Sequence, residues 1–253
     1  METADILSRL DQLPPEHQLR IAKALNALTK ISQKEAARKE FLPFVKNVWP
    51  DFIEGKHHRI MADAFERVSR GELKRLCINI APRHGKSELT SYMLPAWLLG
   101  QDPSRKVICA THTTEFSQRF GRKVRNLIES EDFKEVFPET SLRADSKAAG
   151  RWDVSSGGEY FACGGADLLI IDDPHSEAAG INPSNEYFEG VYEWYSSGPR
   201  QRLQPGGAII IVMTRWHQLD LTGKVIKASE VRGGDKWEVI TLPAVDEFEA
   251  PLW

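Results

Sequence analysis

Two kinds of hydrophobic spacing divide the chain. Up to about residue 70, apolar residues recur every three or four positions, as at Leu19, Ala22, Leu25 and Leu28, which is the spacing of one helix face. From residue 73 onwards, short β-branched runs alternate with helix-like segments. Runs such as LLII and AIIIVM are apolar at every position, which is typical of strands buried on both faces. The pattern predicts a helical N-terminal part followed by an α/β domain whose mostly parallel sheet lies between helices.

The order of the predicted elements follows from these runs. The expected strands are residues 73–82, 106–112, 158–164, 166–174, 208–216 and 237–243, and the expected helices are 58–70, 87–99, 115–130, 183–196 and 219–229. Residues 1–40 are expected to form an accessory helical hairpin with a break at Pro14 and Pro15, and residues 41–253 the α/β domain. Residues 41–52 combine aromatic residues with prolines, which predicts an irregular segment. The glycine- and serine-rich residues 150–167 are the best candidate for a mobile loop.

Composition narrows the class of protein. With 253 residues, 41% of them hydrophobic and 27% charged, the chain is long enough for a substantial core and is unlike a disordered or collagen-like sequence. No apolar run approaches the roughly 20 residues that cross a bilayer, and the N-terminus lacks the layout of a secretory signal, which predicts a cytoplasmic protein. The cysteines Cys77, Cys109 and Cys163 are expected to be buried thiols. The net charge of −3 favours no class of partner.

The sharpest chemical signal is the segment IAPRHGKSE at residues 80–88, which leads from a predicted strand into a predicted helix. A phosphate-binding loop needs backbone N–H groups curled round an anion, a lysine for the β- and γ-phosphates and a hydroxyl for magnesium. Ile80 stands where the usual motif has its first glycine, so the motif is incomplete, and an ordinary turn with an exposed lysine is the alternative. We predict that the phosphates of ATP are bound by Arg83, His84, Gly85, Lys86 and Ser87, with Arg83 placed to contact the γ-phosphate.

The second signal is LLIIDDP at residues 168–174, in which an apolar run ends in two carboxylates. Asp172 is expected at the carboxyl end of a buried strand, where the crevice of an open α/β sheet lies. There it would hold Mg²⁺ together with Ser87. Asp173 is in the position of a general base that polarises the attacking water, and Glu177 competes for that role. Taken alone, two aspartates before a proline are equally compatible with a turn.

The third signal is IIIVMTRW, an apolar run that ends in Thr214 and Arg215. A polar group at this strand end is placed to sense the γ-phosphate and to transmit its presence to the next helix, and a simple strand-end cap is the alternative. Two basic groups are compatible with a DNA backbone or with a solvated surface: Arg119, Arg122, Lys123 and Arg125, and separately Arg200 and Arg202. His57 and His58 lack further ligands at zinc spacing.

In this order, IAPRHGKSE, KVICATH, LLIIDDPHSEA and IIIVMTRWHQLDLTG resemble the ATPase half of the large terminase subunit of tailed bacteriophages, over roughly residues 41–245. The resemblance implies a RecA-like P-loop NTPase fold of the ASCE type. In that fold the strand before Thr214 lies between the phosphate-loop strand and the Asp172 strand. It also implies that residues 80–88 and 168–174 correspond to the Walker A and Walker B motifs, and that His57 or His58 contacts the adenine base.

The resemblance further implies a molecular motor that uses ATP and Mg²⁺ to move double-stranded DNA into a procapsid. Its partners would be the DNA, the portal protein, the small terminase subunit and further copies of the chain in a ring, expected to be pentameric. The motor would work in the host cytoplasm, docked on the portal, and would be absent from the mature virion. Two alternatives stay open: a nucleotide-dependent interaction module with little turnover, and a helicase-like ATPase that remodels DNA.

The chain departs from the family pattern at three places. It ends at APLW, near where the linker to a nuclease domain begins in the family, so an isolated motor domain without DNA cleavage is expected. The segment CGGAD is short where relatives carry Thr-Gly-Arg-Gly, whose arginine is a candidate for the finger that reaches a neighbour's ATP. Arg151 is the nearest substitute. The catalytic acid is commonly Glu, whereas this chain offers Asp173 or Glu177.

Overall fold

The computed structural model describes residues 13–148, 150–160, 165–176, 184–245 and 250–252. The first arm of the predicted N-terminal hairpin, Cys163 and Glu177 lie outside the described residues. No helix in the described ranges is both long enough and apolar enough to cross a membrane. The boundary placed at residue 40 between an accessory segment and the α/β domain stays a prediction.

Three helices precede the sheet: α1 (Pro15–Lys39), α2 (Phe41–Val48) and α3 (Lys56–Ser69). α1 begins at a proline, whose fixed φ suits the first turn of a helix. Most of α1 is exposed up to its last turn. There Ala37 is buried, and the carbonyl of Ala37 accepts a hydrogen bond from Trp97 Nε1 at 3.0 Å. The prediction of an irregular segment over residues 41–52 is wrong for residues 41–48, where Phe41 and Phe44 lie on one face of α2 and are fully buried, and it is confirmed for residues 49–52.

The α/β part alternates strands and helices. It contains β1 (Arg75–Ile80), a π-helix (Glu88–Met93) that continues as α4 (Leu94–Gln101), β2 (Lys106–Thr111), α5 (Thr114–Glu129), α6 (Glu131–Val136), β3 (Leu142–Lys147), β4 (Trp152–Val154), β5 (Glu159–Tyr160), β6 (Ala166–Asp172), α7 (Asn185–Ser197), β7 (Leu203–Met213), α8 (Leu221–Ser229) and β8 (Glu238–Leu242). The helix predicted over residues 87–99 therefore starts as a π-turn.

The strands form an eight-stranded sheet in the order β3-β4-β5-β2-β6-β7-β1-β8. All pairings from β5 to β8 in this order are parallel, and β3, β4 and β5 pair in antiparallel fashion. The predicted mostly parallel sheet is thus confirmed. β7 lies between β1 and β6, as the terminase resemblance implied, so the strand ends at residues 80, 172 and 213 are neighbours.

Helices cover the sheet on both faces, and side chains alternate between the faces along each central strand. In β7, Ile210 and Val212 pack with the helices that precede β6, whereas Ile209 and Ile211 pack with α7 and α8. All four side chains are fully buried. This double burial is the physical reason that the segment AIIIVM is apolar at every position.

The prediction of a mobile loop over residues 150–167 is wrong for the residues described there. Trp152 of β4 and Tyr160 of β5 are fully buried, and their rings stack with centroids 5.0 Å apart. Trp152 Nε1 also donates to the carbonyl of Gly121 in α5 at 3.0 Å. The buried rings of Trp152 and Tyr160 therefore fix this segment to the sheet, although its glycines and serines suggest a loop. The expectation of buried thiols is confirmed for Cys77 and Cys109.

Replacing Ile210 with alanine should lower the free energy of unfolding by about 2–5 kcal/mol, because the site lies in the middle of the sheet and cannot collapse onto the missing atoms. Urea unfolding measures this loss. The matched control is Val239→Ala on the edge strand β8, where 38% of the side chain is exposed, and about 1 kcal/mol or less is expected there. Equal losses for the two variants would contradict the layered core described above.

Candidate nucleotide-binding site

The loop between β1 and the π-helix has the backbone conformation of an anion-binding turn. Arg83 and Gly85 adopt positive φ angles of 65° and 74°, so the chain curls back before the helix begins. The carbonyl of Gly85 accepts the hydrogen bond of Leu89 N at 3.0 Å, which places residues 85–87 at the helix N-terminus. The backbone N–H groups and the positive end of the helix dipole at such a position favour a phosphate.

Lys86 is held inside the site. Only 7% of its surface is exposed, and its Nζ atom lies 2.8 Å from Asp173 Oδ2 and 3.3 Å from Thr214 Oγ1. The structure therefore brings together the ends of β1, β6 and β7 through one ammonium group. These three residues were predicted for the site from separate segments of the sequence.

The carboxylate of Asp172 lies at the end of β6 and is almost fully buried. Its Oδ1 atom accepts a hydrogen bond from Ser87 Oγ at 3.0 Å, and its Oδ2 atom accepts one from Ser91 Oγ at 2.7 Å. Burial raises the pKa of Asp172 to about 6, the neighbouring Asp173 adds to this rise, and the two hydroxyl groups oppose it. The two oxygen atoms of the side chain thus face two different hydroxyl groups.

Asp173 has a strained backbone with φ of 43°, a conformation that few non-glycine residues adopt. Four contacts hold it. Its N–H donates to Val212 O at 2.9 Å, its Oδ1 accepts from Thr214 N at 3.0 Å, Lys86 pairs with Oδ2, and His112 Nδ1 lies 3.1 Å from its carbonyl oxygen. About a third of the side chain is exposed, so water can reach this carboxylate while Asp172 is shielded.

Thr214 follows β7 and starts a turn that leads to α8. Its hydroxyl donates to the carbonyl of Ile80 at 3.3 Å. The turn is organised by Asp220, a fully buried carboxylate that caps α8. Its Oδ2 accepts from Arg215 Nε at 2.8 Å and from Trp216 N at 3.1 Å, and its Oδ1 accepts from the N–H of Gly223, also at 3.1 Å. Arg215 thus stabilises the turn through Asp220.

His57 and His58 are buried beside the loop, and His58 lies next to Gly85. Both side chains are buried, their rings are 3.8 Å apart, and His57 lies 5.7 Å from the ring of His84. His58 Nδ1 accepts a hydrogen bond from Gly55 N at 2.9 Å. Burial lowers the pKa of His58 to about 4 and also lowers the pKa of His57. Both rings are covered by protein in this conformation, and the expected contact of either with an adenine base stays a prediction.

The other predicted residues lie around this centre. Arg83 is exposed on the loop, and His84 is half-buried with Nδ1 at 2.8 Å from Pro82 O. Glu177 lies outside the described residues, so the choice between it and Asp173 stays open. Arg151 is exposed and immediately precedes β4. Within the described residues, no group of three or more His, Cys, Asp or Glu side chains could hold a metal ion.

A cleft of about 840 Å³ opens beside the site, between β2, the N-terminus of α5 and α7. His112 and Pro174 line it near Asp173, and Tyr187 and Trp194 of α7 line it on the far side. None of the loop residues 83–87 is part of its wall. The cleft is therefore next to the candidate site but is not the phosphate-binding groove.

The donor set fits a magnesium ion. Ser87 Oγ and Asp172 Oδ1 are hard oxygen ligands that lie 3.0 Å apart, and Mg²⁺ is usually bound by one or two protein oxygens together with water and substrate phosphates. A nearby cation also favours the ionised form of a carboxylate that is buried next to a second carboxylate. Residues Ser87 and Asp172 would hold the ion when it is present.

Sequence reasoning missed three residues of the site: Ser91, His112 and Asp220. Ser91 stands four positions after Ser87, a spacing that puts two side chains on one helix face, so it was detectable once Asp172 was placed. Asp220 directly precedes α8, and aspartate is a preferred N-cap residue. His112 had no local signal, because its contact with Asp173 depends on the pairing of β2 with β6.

The fold is that of a P-loop NTPase-like domain. Among solved structures, the chain is similar to an arginine-to-alanine variant of the large terminase ATPase domain of Thermus phage P74-26, with a TM-score of 0.51, 15% identity, and coverage of 78% of this chain and 84% of that chain. The unsubstituted ATPase domain from the same phage matches with a TM-score of 0.46, 17% identity, and coverage of 70% and 79%. No family model and no curated protein gives a significant match. At this identity the similarity shows a shared fold.

Replacing Gly85 with alanine should weaken nucleotide binding by at least about tenfold. The new Cβ would lie 3.1 Å from His58 Nε2, and a positive φ costs an L-residue roughly 1–2 kcal/mol. Gly71→Ala is the matched control, because Gly71 has a φ of 76° with no atom within 4 Å of a Cβ. Titration with a fluorescent ATP analogue checks both variants. A loss of binding in Gly71→Ala would show that strain elsewhere in the fold is enough to weaken binding, and would contradict a local effect in the loop.

Replacing Asp172 with asparagine should stabilise the metal-free protein at neutral pH. Because the pKa of Asp172 is raised to about 6, the folded state binds its proton more tightly than the unfolded state, and wild-type stability falls as pH rises from about 4 to 6. The variant escapes this loss, so it should be more stable by about 3 kcal/mol above pH 7 and by little at pH 4. Urea midpoints in EDTA measure the difference. A gap that is the same at both pH values would contradict this assignment.

Proposed function

We propose that the chain is the ATP-hydrolysing motor domain of a phage large terminase subunit, which moves double-stranded DNA into a procapsid. The observation that carries the proposal is the convergence of Lys86, Ser87, Asp172, Asp173 and Thr214 at the carboxyl ends of three adjacent strands. The shared fold with a terminase ATPase domain and the order of the sequence motifs support the same assignment.

In this proposal, the backbone N–H groups of residues 85–87 bind the phosphates, and Lys86 binds the γ-phosphate. Lys86 is paired with Asp173 at 2.8 Å in the resting site. A triphosphate therefore has to take Lys86 away from Asp173, and the released carboxylate then accepts a proton from the attacking water. A bound Mg²⁺ would neutralise charge on the β- and γ-phosphates. Substrate binding and exposure of the base are thus coupled through one lysine.

An arginine from a neighbouring copy completes the site. Arg151 precedes Trp152, which pairs with Tyr160 of β5, and Tyr160 lies opposite Val107 near the start of β2, so Arg151 is set back from the strand ends that carry the loop. β4 stands five strand positions from β1 in the sheet order, which is about 24 Å at the usual spacing. An arginine side chain does not span that distance, so Arg151 acts in trans in a ring of subunits.

Thr214 couples the site to the helices on the far face of the sheet. Its backbone N–H binds Asp173, and the following turn is fixed by Asp220 at the start of α8. The ring of His217 in this turn stacks on Phe188 of α7 with centroids 5.0 Å apart. A change in the charge around Lys86 and Asp173 therefore moves the turn, α8 and α7 as one connected unit.

The partners of the motor are double-stranded DNA, the portal protein, the small terminase subunit and the other copies of a ring, in host cytoplasm at the procapsid. Exposed Arg119 and Arg122 on α5 supply the positive charge that a DNA backbone requires. Lys123 of the same helix is paired with Glu88 at 2.6 Å, next to the phosphate loop. The helix that faces DNA is thus connected to the nucleotide site.

A nucleotide-dependent interaction module is the second candidate, and the Lys86–Asp173 ion pair favours it. If this pair persisted with nucleotide bound, Asp173 would not be available as a base, and the chain would bind ATP with little turnover. The two candidates differ in hydrolysis and not in binding.

Lys86→Ala and Asp173→Ala should each reduce steady-state ATP turnover by at least about 10³-fold, because one removes the phosphate ligand and the other the base. Lys86→Ala should also weaken nucleotide binding, whereas Asp173→Ala should retain it. Wild-type turnover should rise with protein concentration and on addition of DNA and portal-bearing procapsids, since a trans arginine contributes about 10³–10⁵ in related NTPases.

The control for these assays is Asp145→Ala, a carboxylate on an exposed strand far from the loop. It should behave as wild type. Tight binding by the wild-type chain with no turnover under any of these conditions would exclude the motor and support the interaction module.

A further inference from the structure

Asp172 is held by two serines from the same helical segment, and only one of them belongs to the phosphate loop. Ser87 Oγ donates to Oδ1 at 3.0 Å, and Ser91 Oγ donates to Oδ2 at 2.7 Å. The contact from Ser91 is the shorter one, and Ser91 is fully buried. It therefore contacts the carboxylate oxygen that Ser87 does not.

The π-helix explains how both hydroxyl groups reach one carboxylate. Residues 88–93 form this wider turn, which Leu94 N closes with a hydrogen bond to Leu89 O, five residues earlier. Side chains four residues apart lie on one face of a helical turn, so Ser87 and Ser91 both face β6. Such π-turns are rare and occur frequently at functional sites.

Ser91 is the buried group that satisfies Oδ2. The thiol of Cys109 also lies within hydrogen-bond contact of Ser91, but a thiol is only a weak donor and acceptor. A buried carboxylate oxygen that loses its donor carries a desolvation cost and can regain a partner by rotating. Rotation of Asp172 would turn Oδ1 away from Ser87 and separate the two oxygens that converge on the groove.

We propose that Ser91 is a positioning residue that fixes the orientation of the Asp172 carboxylate, so that Ser87 and Asp172 present a preformed pair of oxygen ligands to the Mg²⁺ of Mg–ATP. The inference rests on the proposed nucleotide function of the site and adds a residue to it. Residues that orient a ligand through a hydrogen bond typically change metal affinity by roughly 10–100-fold when they are removed.

Thr90 provides a matched control within the same turn. It is fully buried, directly precedes Ser91, and its hydroxyl has no hydrogen-bond partner among the described residues. Thr90→Val removes a buried hydroxyl from the π-helix without touching Asp172. Any effect of Ser91→Ala that comes only from repacking of this turn should therefore also appear in Thr90→Val.

The experiment is a titration of the full chain with a fluorescent non-hydrolysable ATP analogue, once with Mg²⁺ and once with EDTA. Wild type should bind more tightly with Mg²⁺. Ser91→Ala should lose about tenfold or more of its affinity with Mg²⁺ and none in EDTA, whereas Thr90→Val should match wild type in both. Ser91→Cys keeps a weak donor of similar size and should lie between wild type and Ser91→Ala.

The outcomes distinguish a failure of the positioning role of Ser91 from a failure of the proposed nucleotide function. If wild type binds no nucleotide, the proposed function fails. If wild type binds with a clear Mg²⁺ enhancement that Ser91→Ala retains, the positioning role is wrong while the proposed function stands. An equal loss for Ser91→Ala with and without Mg²⁺, or the same loss in Thr90→Val, would also overturn it, because the defect would then lie in the loop or in the packing of the turn.

Discussion

Adjacency of three parallel strand ends is the constraint on which the whole site depends. β1, β7 and β6 are neighbours in the sheet, and their carboxyl ends deliver Lys86, Thr214 and Asp172 to one edge. The three segments are far apart in the chain, so only the pairing of apolar strands brings them within hydrogen-bond range. The burial of both faces of β7 fixes this pairing. A slip of one residue would move each of its side chains from the core on one face of the sheet to the core on the other face.

The carboxylates of the resting site outnumber its ammonium group, and a bound cation would offset this difference in charge. Asp172 and Asp173 place two carboxylates beside the single ammonium of Lys86. A triphosphate adds further negative charge, so it is favoured only when a cation enters with it. The same imbalance explains why hydroxyl groups, which can donate without carrying charge, occupy both oxygens of Asp172. Under the proposed function, a metal ion that enters with the nucleotide would offset this excess of negative charge.

Apolar runs with a polar end made most of the site predictable. Lys86, Asp172 and Thr214 each follow such a run, and the position of the run marks the end of a buried strand. The positions of His57 and His58 could not be predicted in this way, because their burial depends on how α3 packs beneath the loop. β4 was missed for a related reason: the buried Trp152 holds it, and its polar neighbours dominate the composition. The strand predicted over residues 158–164 is confirmed at Glu159–Tyr160.

The strained backbone of the site indicates where a nucleotide signal would travel. Asp173 keeps its positive φ because Lys86, Thr214 and the end of β7 hold it from three sides. Strain of this kind persists only while its surroundings enforce it. When Lys86 turns to a phosphate, one of these restraints is removed, and Asp173 remains attached to Thr214 alone on its carboxylate side. If Asp173 is the base of the proposed reaction, it is then tied directly to the turn that leads to α8, so hydrolysis and movement of that turn would share one hydrogen bond.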